Sequence, residues 1–256
     1  MKCMSDLFSI KDKIIIITGA GKGIGNYLAK NMAKKHAHVY ALSRSSFKKQ
    51  STNQSNLTQI KCNVRDKKTF KKICDKIFAK HKKIDVLINN AGITFPKSNS
   101  KFYSEKEWME TLQTNLTSAF NCSQIVIGYM LKKKYGSIIN VTSISAELGF
   151  PNNPAYIASK GGLKMLTKAL ARDWGKYGIR VNNLGPGYFK TDMNKKTYQN
   201  KKTQKSRENQ TMLLRWGELE DLLGPCIFLA SDASNYVTAH DLYVDGGWVS
   251  NGLYAE

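Results

Sequence analysis

The sequence predicts one α/β domain over residues 1–256, with a doubly wound parallel sheet of about seven strands and helices on both faces. Three observations predict it. Strand-like apolar runs alternate with amphipathic helical stretches along the whole chain, the pattern of a parallel sheet with crossover helices. The first run leads into a glycine-rich turn that opens a helix. No internal repeat and no linker rich in Gly, Ser or Pro divides the chain.

Ile14-Ile15-Ile16-Ile17-Thr18 is a β-branched run with the look of a strand buried on both faces. A helical pattern follows over 24–35, then a strand over 38–42, a short strand over 59–63 and a helix over 67–80 with Phe70, Ile73 and Ile77 on one face. Val86 to Asn89 is the fourth strand. A long helix around 108–133, broken or bent somewhere, precedes a strand over 137–141. A helix over 154–176, a strand over 180–184, a helix over 218–230 and a last strand over 242–244 close the series. The polar stretch Lys190 to Glu208 interrupts the alternation. It reads equally as a mobile lid, spanning about 188–216, or as an ordinary surface loop.

Apolar residues are 41% of the chain and aromatic residues 10%, enough for a core and against wholesale disorder. No stretch approaches the roughly 18 apolar residues of a membrane span, and no long apolar segment follows Met1 to Asp6. A soluble cytoplasmic protein without a membrane partner is expected. The five cysteines, Cys3, Cys62, Cys74, Cys122 and Cys226, are scattered and include no C-x-x-C, so reduced and mostly buried thiols are expected. The net charge is +21, from 40 basic and 19 acidic residues. Only six of the basic residues are arginines, the lysines spread through every segment, and aromatics do not interleave with them. That pattern does not suit nucleic-acid readout, so no nucleic-acid partner is expected. His36, His38, His81 and His240 form no ligand cluster, and no metal is expected.

The glycine turn is Thr18-Gly19-Ala20-Gly21-Lys22-Gly23-Ile24-Gly25. Such a turn lets the backbone approach a pyrophosphate at the positive end of the following helix. Its spacing resembles the T-G-x-x-x-G-x-G of the short-chain dehydrogenase/reductase family. Five further motifs follow in order: Asn89-Asn90-Ala91-Gly92, Asn115, Ser143, the pair Tyr156 and Lys160, and Pro186-Gly187. The resemblance covers essentially the whole chain and implies a Rossmann fold, NAD(P)-dependent oxidoreduction and a homotetramer or homodimer.

By that resemblance the catalytic residues are Asn115, Ser143, Tyr156 and Lys160. Tyr156 would move the proton that accompanies hydride transfer, and Lys160, four residues on, would lie on the same helix face. A free phenol has a pKa of about 10; the Lys160 charge, added to that of oxidised nicotinamide, should lower it. Ser143 would bond the substrate oxygen, and Asn115 would hold a relay water near the lysine. Cofactor contacts are expected from Gly19, Gly21, Lys22, Gly23, Ile24, Gly25, Ser43, Arg44, Ser45, Asn63, Val64, Asn90, Ala91, Gly92, Tyr156, Lys160, Pro186, Gly187 and Thr191. The second strand ends in Leu42-Ser43-Arg44-Ser45. It lacks the acidic residue that holds adenosine ribose hydroxyls in NAD enzymes, while Arg44 and Lys22 suit a 2′-phosphate. NADP(H) is therefore the expected cofactor, with NAD(H) second. Asn63 departs from the aspartate that many relatives carry near the adenine.

The small-molecule substrate is less legible. Residues 6–10, 187–191 and 215–217 resemble sugar-acid dehydrogenases of the gluconate 5-dehydrogenase and 2-deoxygluconate 3-dehydrogenase groups. Substrate contacts are expected from Ser143, Ser145, Tyr156 and Tyr188, with Glu147, Phe150 and Trp216 lining the pocket and Lys97, Lys101 or Lys190 near a carboxylate. A 3-oxoacyl-carrier-protein reductase, with an acidic carrier as partner, is the rival, and other carbonyl or polyol reductases share the same residues. An NADP-sensing protein without turnover would lack a catalytic residue, and all four are present. Two further departures stand out. Gly185 replaces a commoner alanine, and Ala239 a glycine.

Overall fold

The run Ile14–Ile17 forms the central strand β1, and all four side chains are buried. Successive side chains in a strand face opposite ways, so a run apolar at every position belongs between two covered faces. Ile14 and Ile16 pack into one layer with Phe70, Ile77, Val126 and Leu170. Ile15 and Ile17 pack into the other with Leu28, Met32, Cys226 and Leu229. The structure, a computed structural model, describes residues 4–45, 47 and 54–252.

Six strands follow β1: β2 (His38–Ser43), β3 (Leu57–Lys61), β4 (Val86–Asn89), β5 (Gly136–Val141), β6 (Ile179–Pro186) and β7 (Asp241–Val244). They form a parallel sheet in the order β3-β2-β1-β4-β5-β6-β7. The helices are α1 (Met4–Leu7), α2 (Gly23–Lys34), α3 (Lys67–His81), α4 (Glu105–Leu112), α5 (Ser118–Met130), α6 (Pro154–Trp174), α7 (Lys195–Gln199), α8 (Lys201–Glu208) and α9 (Leu223–Ala230). Helices α2 and α9 cover one face, and α3, α5 and α6 the other. The strand order reverses between β1 and β4, which opens a crevice at their carboxyl ends. Ligands bind at such switch points.

Three elements refine the sequence reading. Strand β3 starts two residues earlier, because its pairing with Val39–Ser43 runs from Leu57 to Lys61; Asn63 instead turns the chain, its Oδ1 accepting from the Arg65 amide at 3.1 Å. The expected bend in the long helix is one turn of π-helix, Gln113–Thr117, between α4 and α5. Such bulges recur at functional sites, and this one holds Asn115. The polar stretch after residue 190 forms the short helices α7 and α8.

One polar feature crosses the sheet. Asn89, Asn140, Asn183 and Asp241 lie in register on β4, β5, β6 and β7. Asn89 donates to Asn140 at 2.8 Å, Asn140 to Thr167 of α6 at 2.7 Å, Thr167 to Asn183 at 2.6 Å and Asn183 to Asp241 at 2.6 Å. Buried amides are tolerated when paired in this way. Cys62, Cys74, Cys122 and Cys226 are buried free thiols, while Cys3 lies outside the described residues. Among the described residues no helix is long and apolar enough to cross a membrane, and no three His, Cys, Asp or Glu side chains gather as metal ligands would.

Candidate active site

The glycine turn closes the crevice at the end of β1. Gly19 has φ +65°, and a Cβ there would sit 2.6 Å from Ala91 Cα, so only glycine lets this turn approach the loop after β4. The Asn90 amide joins the two loops, donating to the carbonyls of Thr18 at 3.0 Å and Gly19 at 3.1 Å. Beside them lies a cavity of about 460 Å³ lined by Gly19, Gly21, Lys22, Ser43, Arg44, Ser45, Asn63, Val64, Ala91 and Gly92. Helix α2 begins at Gly23, and no side chain caps it. Its first amides therefore remain available to an anion. Thr114 Oγ1, also at this cavity, is buried without a partner among the described residues. The carboxylate that lines the cavity, Asp192, comes from the segment after β6 rather than from the end of β2. Lys22 and Arg44 are exposed at its edge. These groups fit an anionic dinucleotide.

A second cavity, of about 450 Å³, shares Gly92 with the first. Ser143, Ser145, Tyr156, Lys160, Pro186, Gly187, Tyr188 and Thr191 line it, together with Ile24 and Asn90. Gly23 and Gly25 line neither cavity: Gly23 faces Thr191, and Gly25 packs under Asn90 and Gly19.

Ser143 follows β5 and caps the helical turn Ile144–Ala146. Its Oγ accepts from the Ser145 amide at 3.1 Å, which leaves its O–H free to donate. Tyr156 and Lys160 stand one turn apart on α6, and the Lys160 ammonium lies 5.6 Å from the centre of the Tyr156 ring. Lys160 is buried and donates to the Val141 carbonyl at 2.6 Å. Burial pushes its pKa down to about 8.

The surroundings of the Tyr156 phenol within the protein act on it in both directions. Burial raises its pKa, the Tyr188 phenol adds to the rise, and a hydrogen bond with Ser143 opposes it. Desolvation is the largest of these effects. The Asn115 side chain is bonded within the protein. Its Nδ2 donates to the Ile93 carbonyl at 3.0 Å and to Ser159 Oγ at 3.1 Å, and its Oδ1 accepts from the Ile93 amide at 2.8 Å. With its carboxamide engaged at both ends, Asn115 holds the loop after β4 against the π-turn, and Ser159 in turn donates to the Tyr156 carbonyl at 2.7 Å.

Residues 19–249 match the family model described as enoyl-(acyl carrier protein) reductase. The chain belongs to the short-chain dehydrogenase/reductase family. It is 36% identical to the 5-keto-D-gluconate 5-reductase of Escherichia coli (strain K12), over 95% of this chain and 98% of that one. It is 35% identical to the 2-dehydro-3-deoxy-D-gluconate 5-dehydrogenase of Bacillus subtilis (strain 168), over 98% of this chain and all of the other. A crystal structure of a gluconate 5-dehydrogenase from Burkholderia cenocepacia J2315 in complex with NADP and tartrate superposes with a TM-score of 0.88. That protein is 32% identical, with 96% of this chain and 99% of that one covered.

As a short-chain dehydrogenase/reductase, the chain is an oxidoreductase, and its second cavity corrects four readings of the substrate wall. Phe150 and Tyr188 line it. Glu147 does not: it bonds Lys164 and accepts from the Tyr243 hydroxyl at 2.9 Å. Trp216 is buried behind Tyr188, with ring centres 5.3 Å apart, and its indole donates to the Gln204 carbonyl at 3.2 Å. Lys97 reaches the cavity but pairs with Glu107. Lys190 pairs with Glu218, and Lys101 lies outside over the Phe102 ring. The sequence reading missed Arg207, Asn153 and Met193, which also line the cavity. No local motif marks them, because the turn before α7, helix α8 and the residue that precedes α6 reach it only in the folded chain.

Proposed function

We propose that this protein interconverts a secondary alcohol and a ketone of a sugar acid, with NADP(H) as cofactor and Tyr156 as the acid–base group. The observation that carries the reading is the meeting of Tyr156, Ser143 and Lys160 on one cavity wall, next to the cavity of the glycine turn. When bound, NADPH supplies the hydride. Lys22, Ser43, Arg44 and Ser45 would hold its 2′-phosphate, and the uncapped start of α2 its pyrophosphate. Lys160 would reach the nicotinamide ribose, with Pro186, Gly187 and Thr191 beside the ring.

In reduction, Ser143 donates to the ketone oxygen and Tyr156 gives it a proton as negative charge develops. In oxidation the same phenolate takes the proton back. Asn153 favours a polyhydroxylated substrate: its Nδ2 donates to Thr94 at 2.6 Å, while its Oδ1 is buried without a partner among the described residues. The names of the gluconate-related relatives support the same substrate class. Residues 188–216 would act as the lid. Exposed Met109, Phe120 and Met165, on α4, α5 and α6, favour association of copies into a dimer or tetramer.

The test is a screen at 340 nm of 5-ketogluconate, gluconate and an acetoacetyl thioester, each with NADP(H) and with NAD(H). Turnover of the sugar acids with NADP(H) is the expected result. Turnover of the thioester alone, suppressed by salt, would replace this reading with a carrier-protein reductase that uses the basic surface.

A further inference from the structure

A sugar acid brings a carboxylate into the second cavity, and three cations line that cavity: Lys97, Lys160 and Arg207. Lys97 is neutralised by Glu107. Lys160 is committed to the Val141 carbonyl and to the Tyr156 side of the site. Arg207, on α8, differs from both. It is half-buried and forms no ion pair with a described carboxylate.

Its guanidinium lies 5.0 Å from the centre of the Tyr188 ring and 5.8 Å from that of Trp248. Those two rings are themselves 5.0 Å apart, and Trp216 buttresses Tyr188 from behind. Aromatic contact strips water from a guanidinium and restricts its rotamers, while its N–H edges stay free for a planar, bidentate acceptor. Arg207 therefore meets the cavity as a pre-oriented anion receptor, in the same cavity that Tyr156 lines. Its charge also reaches Tyr188, where it opposes the rise that burial imposes on that phenol.

We propose that Arg207 binds the carboxylate of the substrate and makes the enzyme select sugar acids over uncharged keto sugars. The inference rests on the sugar-acid reading above, and it also makes α8 the element that senses substrate charge. A guanidinium–carboxylate pair in a partly dry cavity changes affinity by on the order of 10- to 100-fold.

The experiment measures binding of gluconate, and of uncharged sorbitol, to the NADP-loaded protein by titration calorimetry. It compares the wild type with Arg207→Gln and Arg207→Lys. Gluconate should bind the Gln variant about 10- to 100-fold more weakly, and the preference for gluconate over sorbitol should collapse. The Lys variant, with a charge but no fork, should fall between. Thermal melting and the NADPH dissociation constant of each variant report an intact fold and cofactor site. Equal weakening of gluconate and sorbitol, or a gluconate affinity within about twofold of wild type, overturns the proposal. Sugar-acid turnover that persists with an unaltered gluconate affinity in Arg207→Gln would sink this inference and leave the proposed function standing. Arg207-dependent gluconate binding without sugar-acid turnover would do the reverse.

Discussion

Asn115 and Ile93 are joined by a closed pair of hydrogen bonds, Nδ2 to the Ile93 carbonyl at 3.0 Å and the Ile93 amide to Oδ1 at 2.8 Å. The pair ties the π-turn to the loop that carries Gly92, where the two cavities meet. Replacing Asn115 by Ala strands both backbone groups and the Ser159 contact. We expect a loss of about 1–3 kcal/mol of stability together with reduced turnover, read by urea unfolding and a 340 nm assay. A loss below about 0.5 kcal/mol would show that Asn115 does not brace the loop.

Tyr156→Phe removes the proton donor and leaves the ring in place. Turnover should fall about 10²- to 10⁴-fold, while NADPH binding, followed by fluorescence, stays close to wild type. A variant that retains more than about a tenth of the rate would exclude Tyr156 as the acid–base group.

The depressed pKa of Lys160, about 8, sets a pH limit. Its positive charge is present below that value and lost above it, so kcat/KM for reduction should decline as pH rises through about 8. The sign for stability is opposite. Between about 8 and 10.4 the unfolded lysine is protonated and the folded one is not. The unfolded state then binds more protons, and the contribution of this group to stability rises with pH. Unfolding of the wild type and of Lys160→Met, compared at pH 7.5 and 9.5, isolates that contribution. A flat rate profile up to pH 10 would contradict the assignment.

Arg44→Asp places a carboxylate where the 2′-phosphate is expected. NADPH should bind at least about tenfold more weakly through lost charge-assisted bonds and like-charge repulsion, and NADH should gain relative to it. Equal NADPH dissociation constants for wild type and variant would refute the role of Arg44.

Ala239 has φ +60°, in the left-handed region where a Cβ is strained. Its amide donates to the Val181 carbonyl at 2.8 Å, which holds it there. Ala239→Gly should stabilise the protein by about 0.5–1 kcal/mol, seen as a higher melting temperature. The other departure from family wording has a packing reason. A Cβ on Gly185 would sit 2.4 Å from the Tyr243 ring, so Gly185→Ala should destabilise.

Much of the fold was legible because its signals are local. A β-branched run, a glycine turn and helical periodicity each constrain a few adjacent residues, and the strands were recovered to within two residues. The register of β3 and the site of the helix bend were not, since pairing with β2 and the π-turn around Asn115 depend on distant partners. At the site, the spacing of Tyr156 and Lys160 on α6 was sufficient to place them together. The burial of the Tyr156 ring was not, because desolvation depends on everything packed around it.

The sequence by itself determined the order of the elements, the family and the identity of Ser143, Tyr156 and Lys160, which meet at the second cavity. Each of these is written in short-range pattern. Only the tertiary structure decided that Glu147, Trp216, Lys101 and Lys190 stay off the second cavity, that Lys97 lines it paired with Glu107, and that Arg207 enters it. It also decided that Asn183 and Asp241, 58 residues apart, pair at 2.6 Å at the end of a polar ladder across the sheet. Such contacts depend on sheet register and helix docking, which bring together side chains that share no local motif.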